Sequence, residues 1–554
     1  MNAAIVDVAR SWLAQDPDPE TRAELSDLIA RADAGDAAAH ADLHGRFDTR
    51  LAFGTAGLRG ALGAGSNRMN RVLVGQAAAG FAAYLRENAT DATASVVIGY
   101  DGRRNSDVFA RDSAEIFAGA GLRAILLPRL LPTPVLAFAV RHLGASAGVM
   151  VTASHNPPDD NGYKVYLGGP DEGSQIVAPA DRDIAAHIAA VADRADLGSV
   201  PRSEDYEIAD ESVIDAYVAA TAMVAPAPAG AAGMRWVYTA MHGVGHETLS
   251  RILSVSGYPT PAVVEAQIEP DGRFPTVAFP NPEEPGAMDL SYEAARAAGA
   301  EFILANDPDA DRLAVAIPDA GTPEGWRRLT GNEVGLLLGW RAARTTGAGT
   351  LACSLVSSPG LQTVAEHYGL GFEATLTGFK WISRAPNLVF GFEEALGYLV
   401  NPGTVRDKDG ISAAIAVLGL AAEAREEGRT LADLLDQFSE TFGYFASGQV
   451  SIRVDDVSVI GRLMAALRAA PAAMIGEVAV ERIDDLLPAA PGEPSGDVLR
   501  LWLADGSRVI VRPSGTEPKL KAYLDVRGES AADAAGRLAG LDAGVRALLG
   551  AAQG

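Results

Sequence analysis

The chain predicts an α/β protein of three similar α/β units, with mixed, largely parallel sheets, and a smaller C-terminal α+β domain. Three observations carry that expectation. Apolar strand-like runs alternate with helical patterns from Val74 onward, as in sheets covered by helices on both faces. A length of 554 residues exceeds one hydrophobic core and suggests roughly three to four domains. Near the end the pattern changes to period-2 alternation on either side of Asp505-Gly506, a hairpin signal.

In chain order, residues 3–49 read as helical and polar, with a helix start at Asp16 to Pro19. The segment LAFGTAGLRGALGAGSNRMN, rich in Gly, Ser, Thr and Asn and carrying Arg59 and Arg68, reads as a loop. A helix over 74–87, a strand over 95–100, a helix over 107–119 and a strand over 123–127 follow. After another helix comes the buried run AGVMV. VAPAPAGAAG reads as a linker, and beyond it MRWVYTA and EFILAN read as the strands of a second unit. Past an exposed-looking GTPEGWRR, a helix begins at Asn332, and TLACSLV leads through SSPG into another. SGDVLRLWLADGSRVIVRPS and LKAYLDVRG supply three strands of the last domain, and an Ala/Leu-rich helix ends the chain. The expected boundaries are 1–225, 226–324, 325–447 and 448–554.

Composition narrows the function. A 48% hydrophobic, 21% charged chain is that of a folded soluble protein. Its net charge of −25, from 46 basic and 71 acidic residues, argues against nucleic-acid or anionic-membrane partners. An anionic substrate must then be held by local basic clusters. Cys353 is the single cysteine, which excludes an intrachain disulfide and a Cys-rich zinc site. With no signal-like start and no long apolar run, a cytoplasmic location is expected.

Four motifs carry chemistry. In VTASHNPPDDNGYKVY, Ser154 stands at a strand end beside His155, with Lys164 nearby, as a candidate nucleophile with basic neighbours; the alternative is an ordinary strand-to-helix turn. Asp307, Asp309 and Asp311 recur at i, i+2, i+4, which on extended backbone places three carboxylates on one side and calls for a hard divalent cation. A calcium EF-hand loop is rejected, because its sixth and twelfth positions hold Arg312 and Pro318; a solvated turn remains the plain alternative. RPSGTEPK joins Arg512, Ser514, Gly515, Thr516 and Lys519 in a loop suited to cradling phosphate. GFEEALGY offers Glu393 and Glu394 to sugar hydroxyls, while Lys380, two positions after Gly378 in LTGFKW, and Lys408 in RDKDG add cations to the same unit.

Together these motifs resemble, in order, those of the α-D-phosphohexomutase family, which includes phosphoglucomutases and phosphomannomutases; the resemblance covers Leu51 to Tyr523. It implies four domains around a central cleft and a reaction between sugar 1-phosphate and sugar 6-phosphate through a sugar bisphosphate, most readily for glucose, then mannose. By resemblance Ser154 carries the phosphoryl group and joins Asp307, Asp309 and Asp311 around Mg²⁺. Lys164 and His155 assist proton transfer, and Arg59 faces the reacting phosphate. The implied substrate set is Glu394 for a sugar hydroxyl, with Arg512, Ser514, Gly515, Thr516 and Lys408 for the nonreacting phosphate, joined by Arg312, Gly378, Lys380, Glu393 and Lys519. A phosphosugar partner and a sugar bisphosphate activator are implied as well; oligomeric state is not. Leu396 stands where many members have Ser, and FGTAGLRG and TGFKWI are similar to the subgroup of phosphopentomutases, glucose-1,6-bisphosphate synthases and several bacterial phosphoglucomutases. Pentose phosphates are therefore the alternative substrates, and a Mg²⁺-dependent sugar phosphatase the alternative reaction.

Overall fold

A computed structural model describes residues 2–54, 57–88, 94–194, 196–454, 456, 458–487, 496–514 and 519–553. The chain forms two compact units, Met1–Leu329 with Gly397–Gly428, and Thr330–Leu396 with Arg429–Gly554. Among the described residues no helix is long and apolar enough to cross a membrane.

The first unit begins with three helices, Asn2–Gln15, Pro19–Asp33 and Ala37–Phe47. The expected helix start is real: Asp18 caps the second helix by accepting from Glu20 N, and Pro19 fills its first turn. Trp12, Leu25, Leu28 and Leu43 form a small core of their own.

Next comes a sheet in which Ala147–Val151, Ser95–Tyr100, Arg123–Leu126 and Glu207–Ile208 run parallel in that order. Its other edge corrects the sequence reading once and rules out one of its alternatives. Within the expected loop, Leu58–Ala61 is a strand, paired antiparallel to Asp160–Leu167. And the chain beyond Ser154 turns back as that strand, antiparallel to Ala147–Val151, and makes no helix. Gly162 explains the close packing: a Cβ there would lie 2.6 Å from Thr152 O and 2.8 Å from Leu58 O.

The second sheet, still in the first unit, orders Trp326–Arg328, Leu313–Pro318, Phe302–Asn306, Trp236–Thr239 and Ala262–Val263. GTPEGWRR is not simply exposed, because Trp326 is buried and its strand pairs with Leu313–Pro318. The Pro/Ala/Gly stretch is docked and does not hang as a linker. Gly230 N donates to Glu426 at 2.8 Å, and a Cβ at Gly230 would meet Ala422 O at 2.3 Å. Helix Gly410–Glu426, apolar almost all round, is buried accordingly. It starts at Asp409, whose carboxylate accepts from Ile411 N and Ser412 N.

In the second unit Thr350–Ser354 lies between Gly371–Thr375 and Leu388–Glu393, all parallel. A six-stranded antiparallel sheet follows in the order Tyr444–Arg453, Lys519–Gly528, Arg508–Pro513, Leu499–Leu503, Val478–Asp485, Met474–Ile475. The expected hairpin turns at Asp505-Gly506, with Gly506 at φ 82°. Three of the six strands were not anticipated. Helix Ala531–Gln553 covers the sheet.

Candidate active site

Ser154 sits in the turn between Ala147–Val151 and Asp160–Leu167, at φ 52° and almost fully buried. A non-glycine residue in the left-handed region needs support, and it has it. Its N–H donates to Thr152 Oγ1 at 2.9 Å, and its carbonyl accepts from Arg103 Nη2 at 2.6 Å. The Arg103 guanidinium also donates to the carbonyls of Asn156 (2.5 Å), Pro157 (2.8 Å) and Asp160 (3.1 Å). One buried side chain thus fixes the turn by four backbone oxygens, with Asp101 3.7 Å away as its counter-charge.

The three aspartates occupy the turn joining Phe302–Asn306 to Leu313–Pro318. They converge because the chain turns there, with Ala310 N bonded to Asp307 O and Ala310 at φ 54°; extended alternation, the reason first expected, is not the cause. All three are fully buried, and one carboxylate oxygen from each lies within 4.8 Å of the others. Ser154 Oγ donates to Asp307 Oδ2 at 2.9 Å. Lys164 Nζ donates to Asp309 Oδ2 at 2.7 Å and Asp311 Oδ2 at 2.8 Å, Lys408 Nζ stands 3.4 Å from Asp311 Oδ2, and Thr133 Oγ1 donates to Asp309 at 2.7 Å. Arg312 N donates to Asp307 Oδ1 at 3.0 Å.

Burial, reinforced by the charges of Asp309 and Asp311, pushes the Asp307 carboxyl well above its ordinary value. Burial also opposes the charge of Asp309, but Lys164 and Thr133 outweigh it and hold that carboxyl low. Lys164 is likewise raised: desolvation works against its charge, and Asp309 and Asp311 overcome it. His155, with Nδ1 3.4 Å from Ser154 Oγ, is pushed far down by burial and then by Arg312 and Arg59, so the ring is neutral. Asp309 Oδ1 and Asp311 Oδ1 are buried without a hydrogen-bond partner among the described residues. Three buried carboxylates with two orphaned oxygens suit a hard divalent cation, and Mg²⁺ fits this all-oxygen donor set. Arg59 reaches the same turn, donating to Asn156 Oδ1 at 3.2 Å.

The first unit therefore gathers Ser154, His155, Lys164, Arg59, Asp307, Asp309, Asp311, Arg312 and Lys408. In the second unit Glu394 Oε2 accepts from Ser354 Oγ at 3.0 Å and Ser357 Oγ at 3.1 Å. Arg508 bonds Asp525 and the Ser357 carbonyl, tying that serine turn to the antiparallel sheet. Glu393 ends its strand, Gly378 at φ 108° precedes the short helix Phe379–Ile382, and Lys380 lies over the Trp381 ring. Arg512, beside the Tyr523 hydroxyl, pairs across the sheet with Lys521, and Ser514 N donates to Lys519 O at 2.8 Å. Gly515 and Thr516 lie outside the described residues. Cys353 is buried and its thiol is pushed up to about 12, which removes it as a nucleophile. Arg103, Thr133, Ser354 and Ser357 escaped the sequence reading. Arg103 alone had a local signal, since DGRRNS follows a buried strand as TASHNP does.

Profiles of the phosphoglucomutase/phosphomannomutase family match in order: α/β/α domain I over residues 50–195, domain II over 215–321, domain III over 330–442 and the C-terminal domain over 464–537. A "probable phosphomannomutase" of Haemophilus influenzae is 56% identical over 483 residues, spanning 87% of this chain and 98% of its own. A phosphopentomutase of Mus musculus is 34% identical over 590 residues, spanning 95% and 91%. The crystal structure of a phosphoglucomutase/phosphomannomutase family protein from Burkholderia thailandensis shares the fold, with a TM-score of 0.70 over 91% of this chain and 98% of its own at 20% identity. The chain belongs to the α-D-phosphohexomutase family and is a phosphosugar mutase, an isomerase that moves phosphate within its substrate.

Proposed function

We propose that this mutase interconverts sugar 1-phosphate and sugar 6-phosphate, glucose first and mannose second, through phospho-Ser154 and a sugar bisphosphate that also primes the enzyme. The observation that carries the reading is the position of Ser154 Oγ, hydrogen-bonded to Asp307 within a buried cluster of three aspartates, with Lys164 and Lys408 against the carboxylates. The P–Oγ bond of phosphoserine breaks as a bond forms from phosphorus to the sugar's free hydroxyl oxygen, and Ser154 Oγ leaves with a proton from a general acid; the bisphosphate's other phosphoryl group then returns to Oγ by the reverse step. In the first transfer the sugar hydroxyl's proton passes to a base. His155 suits that role better than Lys164: its ring is neutral, whereas Lys164 Nζ is held charged by two carboxylates. When bound by Asp307, Asp309, Asp311 and Ser154, Mg²⁺ supplies positive charge to the transferring group. Arg59 and Lys164 add fixed positive field there, and Arg103 keeps Oγ in register. In the second unit Glu393, Glu394, Gly378 and Lys380 are assigned to the sugar. Arg512, Ser514, Gly515, Thr516 and Lys519 are assigned to the nonreacting phosphate, and Arg312 and Lys408 of the first unit are assigned to substrate binding.

The likeness to a phosphopentomutase favours pentose phosphates as the second reading. Parallel assays with the 1-phosphates of glucose, mannose, ribose and deoxyribose, with Mg²⁺ and a bisphosphate activator, separate the two. Ser154→Ala is expected to abolish turnover and to leave intact mass unchanged by sugar bisphosphate. Full mutase activity in that variant would end the mechanism.

A further inference from the structure

The three N-terminal helices precede the first family profile, which begins at residue 50, and a cavity of about 330 Å³ lies where they meet the first α/β layer. None of the Ser154-site residues lines it. One wall is apolar, made by Val8, which is 49% exposed, and the buried rings of Trp12 and Phe47. The other carries donors. Arg50 Nη1 donates to Gln76 Oε1 at 2.6 Å, a neutral acceptor, and among the described residues Arg50 has no carboxylate within ion-pair distance. Gln76 is 2% exposed, and its Nε2 has no hydrogen-bond partner among the described residues. The Trp12 indole N–H is buried and equally without a partner. The Trp12 N–H is enclosed, whereas the Gln76 amide keeps access to solvent and offers a donor on the cavity wall beside Arg50.

The nearby carboxylates do not occupy these donors. Asp48, on the cavity wall, is engaged by His44 Nδ1 at 2.8 and 3.0 Å, and Asp193, the other charge felt by Arg50, makes no ion pair with it. A planar guanidinium with spare donors matches an oxyanion, and the volume is at the small end for ligand sites.

We propose that this cavity binds a small organic oxyanion, a carboxylate or phosphate monoester bearing an aryl or short alkyl group. The anion takes Arg50 and the Gln76 amide, and the apolar group lies against Val8, Trp12 and Phe47. The test uses the full-length enzyme labelled with ¹⁵N-tryptophan, whose six indole N–H signals are resolved by NMR and whose Trp12 signal is assigned with Trp12→Phe. Benzoate and phenyl phosphate are each titrated, with benzyl alcohol as the uncharged control and inorganic phosphate as the control without an apolar group. The expected result is a saturable shift of the Trp12 signal with benzoate, phenyl phosphate or both, none with benzyl alcohol, and loss of the shift in Arg50→Met at unchanged mutase activity. Response to only one of the two acids identifies the preferred head group. A Trp12 signal that stays in place with both acids overturns the proposal. So does one that moves as far with benzyl alcohol or with inorganic phosphate alone, or one that moves unchanged in Arg50→Met.

Discussion

Replacing Arg103 by Met tests whether the Ser154 turn is held from beneath. The substitution keeps length and apolar bulk but removes donors at 2.6, 2.5, 2.8 and 3.1 Å from four carbonyl oxygens. Each charge-assisted hydrogen bond contributes about 1.5–3 kcal/mol, and the four share one side chain, so their effects do not simply add. Breaking the buried pair with Asp101 costs about 3–5 kcal/mol, and this sets the expected loss of stability in urea unfolding. The catalytic consequence differs in kind. Ser154 occupies a left-handed backbone conformation, and without Arg103 the turn is free to relax. A displacement of about 1 Å at a reacting atom costs on the order of 100-fold in rate, so kcat is expected to fall by about that factor. KM stays near wild type, because Arg103 is assigned no contact with sugar. Arg103→Lys supplies charge but cannot reach four carbonyls, so it recovers part of the stability and little of kcat. Wild-type kcat in a folded Arg103→Met enzyme, or a rise in KM with kcat intact, refutes the reasoning.

Three other outcomes are expected. Asp307→Asn removes one of three crowded carboxylates. Because the folded-state pKa of Asp307 is raised, its contribution to metal-free stability falls as pH climbs above the ordinary carboxylate range, so this variant melts higher than wild type near neutral pH without metal. It also loses the melting shift that Mg²⁺ gives the wild type, measured by scanning fluorimetry. Asp409 is raised by burial to about 6 from 3.8, so its stabilising contribution is complete below the lower value and is lost as pH rises through the higher, by roughly 3 kcal/mol at most. Asp409→Asn, which keeps an acceptor for the Ile411 and Ser412 amides, is expected to gain on wild type in urea melts at pH 8 compared with pH 4. Arg512→Ala is expected to weaken sugar phosphate binding by about 2–3 kcal/mol, roughly 30- to 150-fold in KM, with a smaller change in kcat.

The sequence alone determined those features that local chemistry dictates. An apolar run ending in Ser, Asn and Pro marks a strand followed by a turn, so Ser154 was placed correctly. Asp-Gly between alternating residues marks a hairpin, and three aspartates in five positions offer carboxylates suited to a hard cation. Tertiary structure decided what such patterns cannot encode. Lys164 reaches Asp309 and Asp311 across 145 and 147 positions because its strand runs antiparallel to Ala147–Val151, a pairing hidden by the Pro-Pro-Asp-Asp turn before it. Thr133 meets Asp309 across 176 positions, and Ser357 meets Glu394 across 37. Leu58–Ala61 became a strand because an edge at Asp160–Leu167 was open to pair with it, although its Gly-rich sequence has little strand propensity of its own. Register and burial bring distant side chains together, and both are properties of the packed sheets, so the residues that support the site came into view only with the fold.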